Sequence, residues 1–128
     1  MNKLSWAQRL QRIREIKLRG AMAALHQVVA RRNDAQGRAD RIANASDSLG
    51  RDSAKLGDLG PLGEARMLWH RRAAQFGEQV QAAASAATHA QHRRDQADDL
   101  VRREKQAAAA ARERKAESEV EEFFAWRR

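Results

Sequence analysis

Apolar residues recur along this chain with a seven-residue period, which predicts two helices that pair along a seam. The seam of the second half consists of Leu62, Trp69, Phe76, Ala83, Ala90 and Ala97, with Ala73, Val80, Ala87, Val101 and Ala108 interleaved. Arg94 and Glu104 interrupt this series. The first half carries a matching stripe of Leu10, Ile13, Ala24, Val28, Ala35, Ala39, Ile42 and Leu49. Because the second seam continues for about six heptads, the pattern favours a coiled coil.

Glycines and the one proline separate the two stripes. Residues 47–60 (DSLGRDSAKLGDLG) are dense in Gly, Ser and Asp, which is typical of a connection. Pro61 fits the first turn of a helix, where its missing N–H has no intrahelical partner. We therefore expect helix one over 4–46, a connection over 47–60 and helix two over 61–126, in a single helical hairpin spanning 1–128. A short connection makes the helices antiparallel, so the predicted fold is an all-α, long antiparallel two-helix coiled-coil hairpin.

The predicted helices differ in length, and the longer one has an unpaired end. We expect Asp47 to face Leu62 across the connection. With that register Leu4 faces about Lys105, and roughly the last twenty residues form an overhanging C-terminal helix. Three aromatic residues close this helix: Phe123, Phe124 and Trp126. Because the overhang has almost no core positions, these aromatics are candidates for contact with a partner.

A second apolar stripe marks helix one. It comprises Leu18, Met22, Leu25 and Val29. Their i, i+4, i+7 and i+11 spacing puts them on one helix face, roughly opposite the first stripe at about 100° per residue. Two interpretations stay open. The stripe is a docking face for another protein, or it reflects drift of the seam or self-association into a four-helix dimer.

Composition and charge limit the classes of function. Leu, Ile, Val and Phe make up only 21 of 128 residues while Ala contributes 27, so no large globular core is expected. The net charge is +8, and residues 1–32 hold eight Lys and Arg against Glu15 alone. Such a basic helix suits a phosphate backbone or an acidic protein cavity. Nucleic acid is the less favoured partner because no known recognition pattern is present.

Little in the sequence suggests chemistry at a pocket. His89 and His92 have the i, i+3 spacing of metal ligands on a helix, but the neighbouring Arg93 and Arg94 oppose a divalent cation. No phosphate-binding loop, nucleophile elbow or dinucleotide fingerprint occurs. We expect no enzymatic activity, cofactor or metal. The chain has no Cys, no apolar run of 18 residues and no signal-like apolar core near Met1, which favours the cytoplasm.

The order of these segments resembles the FliJ/YscO family, the central-stalk proteins of flagellar and type III secretion export. The resemblance rests on a basic N-terminal helix, a central aromatic segment, a long Ala/Gln/Arg second helix and an acidic, aromatic and Arg-rich end. The end is similar to the family's tail through Glu121, Glu122, Phe123, Arg127 and Arg128, with one extra residue between acids and arginines. The start of helix two resembles the family's aromatic and aliphatic stretch through Leu68, Trp69, Phe76 and Val80, without a Tyr.

The resemblance implies a stalk whose helix ends enter the pore of the hexameric export ATPase. It also implies that the hairpin body meets the export-gate protein and substrate chaperones. With that function, the residues we expect to contact the ATPase ring are Arg9, Arg12, Arg14, Phe123, Phe124, Trp126 and Arg127. Those for the gate or a chaperone are Leu18, Met22, Leu25, Val29, Trp69 and Phe76. The implied location is cytoplasmic, peripheral at the cytoplasmic face of the inner membrane, and flagellar and injectisome systems fit equally.

Overall fold

Two long helices pack against each other in the computed structural model, which describes residues 2–52 and 59–127. Helix α1 spans Lys3–Asp52 and helix α2 spans Leu59–Arg127, with 50 and 69 residues respectively. The described residues contain no strand. The predicted all-α class and the pairing of two helices are therefore confirmed.

Both helices extend into the segment predicted to connect them. Helix α1 continues to Asp52 and α2 begins at Leu59, whereas residues 53–58 lie outside the described part of the chain. Leu49 is half-buried, so packing on α1 continues past the predicted end of helix one. Pro61 stands in the first turn of α2, where the missing N–H removes no intrahelical hydrogen bond.

The start of α1 is capped by a side chain. The backbone N–H of Ser5 donates to Oδ1 of Asn2 at 2.7 Å. The N–H of Trp6 donates to the backbone oxygen of the same Asn2 at 3.2 Å. Asn is among the preferred N-cap residues because its side chain satisfies an N–H that has no partner inside the helix. The helix boundary near Lys3 is therefore encoded locally.

The chain divides into two compact units. The first combines the chain up to Leu18 with the chain from Ala90 onward, and the second is Arg19–His89. In the first unit, Nε2 of Gln11 donates to Oδ1 of Asp98 at 2.8 Å across the two helices. This antiparallel pairing has the register in which Leu4 was expected to face Lys105.

The second unit pairs its two helix segments through an aromatic side chain. The guanidinium of Arg38 lies over the ring of Trp69, 4.7 Å from its centroid. The same ring receives Arg72 from its own helix, also at 4.7 Å. The described residues of this unit bury Ala35, Ala39, Ala73 and Ala87, which are small enough for close approach of the backbones.

The observed seam agrees with the predicted one on α2 and differs from it on α1. All eleven predicted apolar positions of α2 are buried or half-buried, and so are the interrupting Arg94 and Glu104. On α1 the covered positions with strict 3–4 spacing are Leu4, Ala7, Gln11, Arg14, Leu18, Ala21, Leu25, Val28, Arg32, Ala35, Ala39, Ile42, Ser46 and Leu49. The assignment of Ile13 and Ala24 to the seam was wrong, because both are exposed. Polar residues occupy several seam positions of α1, so a register assigned from apolar residues alone was incorrect.

Candidate partner-binding surfaces

The end of α2 is exposed along its whole length. Every residue from 109 to 127, here called the terminal stretch, is exposed, and Ala108 is the last half-buried residue before it. Its large apolar side chains are exposed by 53% at Val120, 51% at Phe123, 57% at Phe124 and 83% at Trp126. Monomeric proteins rarely leave such side chains clustered in water without a partner.

The aromatic residues of the terminal stretch contact one another and an arginine. The rings of Phe123 and Phe124 lie 6.0 Å apart between centroids at an interplanar angle of 72°, an edge-to-face arrangement. The guanidinium of Arg127 lies 5.1 Å from the centroid of Phe123. At about 100° per residue, Phe124 and Trp126 point about 160° apart around the helix with Phe123 between them, so the end of α2 presents aromatic surface in more than one direction.

Acidic side chains border the apolar part of the terminal stretch. Glu117 and Glu121 line a shallow groove together with Ala116 and Val120. Glu113 continues the i, i+4 spacing toward the N-terminus, and the three carboxylates are here called the glutamate row. Like charges at i, i+4 destabilise an isolated helix by about 0.2–0.5 kcal/mol per pair. The row therefore favours contact with cations.

The beginning of α1 has an apolar and basic side that the sequence did not reveal. Trp6, Ile13 and Ile16, here called the outer face, are exposed by 55%, 44% and 68%. The lysines and arginines around them are exposed as well: Lys3, Arg9, Arg12 and Lys17. The sequence does contain a signal for this side of the helix. Seam positions counted from Leu4 with strict 3–4 spacing place these apolar residues on the side away from the seam.

The three arginines matched to the ATPase ring do not share one environment. Arg9 and Arg12 are exposed beside the outer face. Arg14 is half-buried at a seam position, where it lines a groove with Leu10, Arg93 and Arg103. The structure therefore brings Arg9 and Arg12 to one side of α1 and leaves Arg14 between the helices.

The second apolar stripe of α1 does not form a separate face opposite the seam. Leu18 and Leu25 are half-buried members of the seam itself. Met22 is 37% exposed, and Val29 is half-buried next to the seam. The predicted geometry of this stripe was wrong because the seam begins in a different register from the one assumed.

Trp69 and Phe76 lie in a groove of the second unit. Both are half-buried, and Arg31, Asp34, Ala35, Arg38, Arg72 and Gln75 line the groove with them. Nε of Arg38 forms an ion pair with Oδ2 of Asp34 at 3.3 Å, which orients its guanidinium over the indole. Met67 and Leu68 beside Trp69 are 57% and 46% exposed. This region combines apolar surface with positive charge.

A charged layer interrupts the seam of the first unit at Arg94. Its guanidinium lies 3.1 Å from Asp95, 3.8 Å from Glu15 and 3.9 Å from Asp98. The hydrogen bond that Arg94 donates to Asp95 raises its pKa above the ordinary value, against a smaller opposing effect of desolvation. Nearby carboxylates raise the pKa further, so Arg94 stays charged. Polar layers of this kind fix the register of paired helices.

The described residues offer little for metal binding. Within them no group of three or more His, Asp or Glu side chains is arranged to hold a metal ion. His92 hydrogen-bonds Gln96 on its own helix at 3.3 Å, and His89 is exposed. Among the helices that the structure describes, none combines the length and apolar character needed to cross a membrane.

Three comparisons with known proteins returned no similar protein. Neither the models of protein families, nor the curated proteins, nor the solved structures contain a match to this chain. The surfaces described above therefore have to be interpreted from their own residues.

Proposed function

We propose that this protein is a non-enzymatic stalk of the flagellar or type III protein export apparatus, as its resemblance to the FliJ/YscO family implies. The ends of its helices enter the ring of the hexameric export ATPase. The body of the hairpin meets the export gate and substrate chaperones, and the protein lies peripherally at the cytoplasmic face of the inner membrane. The terminal stretch extends as an overhanging helix past the paired part of α2.

The observation that carries this proposal is the terminal stretch, a helix of 19 exposed residues with three aromatics near its end. An Ala-rich helix is slim, about 10 Å across with its side chains, and fits the lumen of a protein ring. Contact with the ring removes Val120, Phe123, Phe124 and Trp126 from water. Burial of apolar surface contributes about 25 cal/mol per Å², so these side chains supply most of the binding energy.

The exposed basic residues near the start of α1 support the same proposal. Residues 1–32 carry eight Lys and Arg against one acid. A ring lumen lined by acidic groups attracts this charge and orients the approaching helix ends. Arg9 and Arg12 are free to make such contacts from the exposed side of α1. Arg14 contributes from the groove between the helices, so we assign it a smaller effect.

Stimulation of the cognate export ATPase tests the proposal. A chain ending at Ala116 lacks the aromatic end, and the triple variant Phe123→Ala, Phe124→Ala, Trp126→Ala lacks only its side chains. Aromatic hot spots contribute about 2 kcal/mol or more when truncated, so we expect at least a 30-fold higher concentration for half-maximal stimulation. The measurement is the steady-state rate of ATP hydrolysis against added protein.

A matched control changes exposed residues of the same helix that lie outside the apolar group. The variant Gln106→Ala, Lys115→Ala is expected to stimulate the ATPase like the parent. Equal stimulation by the parent and by the chain ending at Ala116 refutes the assignment of the aromatic end. No stimulation by the parent itself refutes the proposed stalk function.

The region around Trp69 is the proposed contact for the export gate or a chaperone. It offers the exposed side chains of Met67 and Leu68 next to a groove lined by arginines. We expect Met67→Ala, Leu68→Ala to weaken pull-down of the gate protein by about tenfold while leaving ATPase stimulation unchanged. If this variant instead captures the gate protein normally and loses ATPase stimulation, the region around Trp69 contacts the ATPase rather than the gate.

A further inference from the structure

The first unit carries two uncovered apolar surfaces of opposite charge. One is the outer face of Trp6, Ile13 and Ile16, bordered by exposed lysines and arginines. The other is the terminal stretch with its glutamate row and its aromatic end. The terminal stretch also holds four basic residues, but at about 100° per residue the glutamate row shares one helix face with Val120 and Phe124 alone among the large apolar side chains. That face has a net charge opposite to that of the outer face. Such complementarity is typical of two halves of one interface.

The two surfaces of one chain do not cover each other. Every residue of the terminal stretch is exposed within the unit that also contains the outer face. Helix α2 continues without a break to Arg127, so the stretch has no bend that folds it back onto α1. Within the described part of the chain, both surfaces are therefore left uncovered.

From this complementarity we propose that two copies associate reciprocally, with the terminal stretch of each lying on the outer face of the other. A two-fold axis relates the copies, so the same pair of surfaces meets twice. At a rise of about 1.5 Å per residue, the 19 residues of the terminal stretch cover about 28 Å. The outer face from Trp6 to Ile16 is shorter than this, so one stretch covers it fully.

The chemistry of the contact follows from the residues on each side. The glutamate row faces Lys3, Arg9 and Arg12 of the other copy, which removes the repulsion among its own carboxylates. The aromatic end packs on Ile13 and Ile16, and Val120 packs nearer to Trp6. Because the apolar end is the proposed ATPase contact, the dimer sequesters it and competes with ring binding. The dimer itself does not depend on that proposed function.

The test uses two charge-reversed full-length chains. In one, Arg9→Glu and Arg12→Glu make the outer face acidic. In the other, Glu117→Lys and Glu121→Lys make the terminal stretch basic. Each alone sets like charges against each other in a homodimer, whereas an equimolar mixture restores opposite charges at both contacts. The readout is molar mass by light scattering and sedimentation equilibrium.

We expect the parent to dimerise at low salt, each variant alone to be monomeric, and the mixture to form a heterodimer. Surface charge pairs are screened by salt, so the parent's Kd rises by about tenfold between about 50 and 500 mM NaCl. The control Arg66→Glu, Arg71→Glu changes exposed residues of the second unit. It lowers the net charge by the same amount as the variant with the acidic outer face, and we expect it to stay dimeric. Far-UV circular dichroism verifies that every variant retains the parent's helix content.

Two results overturn the proposal. One is a parent that remains monomeric at low salt, and the other is a mixture of the two variants that stays monomeric. Vesicles containing phosphatidylserine identify a different occupant of the outer face. A monomeric parent that binds them, and loses binding with Arg9→Glu, Arg12→Glu, assigns this face to an anionic membrane instead. The mass measurement contains no ATPase, so its failure leaves the proposed stalk function untouched.

Discussion

Two consecutive segments of α2, residues 90–108 and residues 109–127, have the same length and opposite surroundings. The first segment has Ala97 and Val101 buried and further half-buried positions at regular spacing. The second has no covered residue at all. Yet the second contains more large apolar side chains, namely Val120, Phe123, Phe124 and Trp126 against Leu100 and Val101.

The comparison separates helix formation from helix pairing. Both segments are rich in Ala and Arg, which favour a helix whatever their surroundings. Pairing depends instead on small apolar residues at seam positions, as at Ala97 and Val101. The large apolar residues of 109–127 do not follow the seam spacing, so they do not enter the core between the helices.

The largest expected effect comes from a charge placed in the seam. Ala97 is only 3% exposed, so Ala97→Asp puts a carboxylate between the helices. We expect the free energy of unfolding of the first unit to fall by about 3 kcal/mol, because a buried unpaired charge is costly. Urea unfolding followed by circular dichroism measures this change.

The matched substitution in the exposed segment is Ala109→Asp. It changes helix propensity alone and is expected to lower stability by no more than about 0.7 kcal/mol. Equal losses for Ala97→Asp and Ala109→Asp would mean that the two segments have the same surroundings, which contradicts the comparison.

An intermediate effect is expected when the same residue type is removed in each setting. Trp69 is half-buried under Arg38 and Arg72, whereas Trp126 is 83% exposed. We expect Trp69→Ala to cost about 2 kcal/mol of unfolding free energy, below the 3–5 kcal/mol of a fully buried Trp. Trp126→Ala is expected to cost less than about 0.5 kcal/mol, since surface substitutions are nearly neutral.

The tryptophan pair also has a spectroscopic readout. In variants that retain a single tryptophan, so that the exposed Trp6 does not contribute, we expect Trp126 to emit at the wavelength of a solvated indole and Trp69 to emit further to the blue. A stability loss at Trp126 as large as that at Trp69 would show that the aromatic end packs within the chain.

The smallest expected effect is a gain at helical glycines. A Cβ added to Gly20 or Gly77 meets nothing within 4 Å, so alanine fits either position without strain. We expect Gly20→Ala and Gly77→Ala each to raise the free energy of unfolding by about 0.5–1 kcal/mol, because glycine loses more backbone entropy on folding. A loss of stability at either position would indicate a packing contact at that glycine.

Much of the fold was predictable because a heptad pattern reports directly on the period of paired helices. Residues such as Ala73, Ala87 and Ala97 repeat regularly enough to define the seam of α2. The first turns of α1 were less predictable, since Gln11 and Arg14 hold seam positions while Ile13 faces solvent. Only packing across the helices distinguishes these alternatives.

The candidate surfaces also differ in how far the sequence predicts them. The aromatic end of α2 was recognisable from sequence, because apolar residues outside the seam spacing have no core to enter. The outer face around Trp6 and Ile16 was not, because its recognition requires the correct register of α1. The identity of a partner depends on surface chemistry, which a periodic pattern does not encode. The partners of this chain are therefore proposals.

Hydrogen exchange tests the central claim most directly, namely that residues 109–127 form a helix whose contacts lie on a partner. The full-length protein is measured by mass spectrometry at low micromolar concentration, alone and with the partner proposed for it, a hexameric export ATPase. An unpaired helix of this length is marginal in water, so we predict fast exchange over 109–127 and slow exchange over 90–108 in the protein alone. Added ATPase is predicted to slow exchange over 109–127, and rates over 109–127 that do not change on its addition would contradict the account.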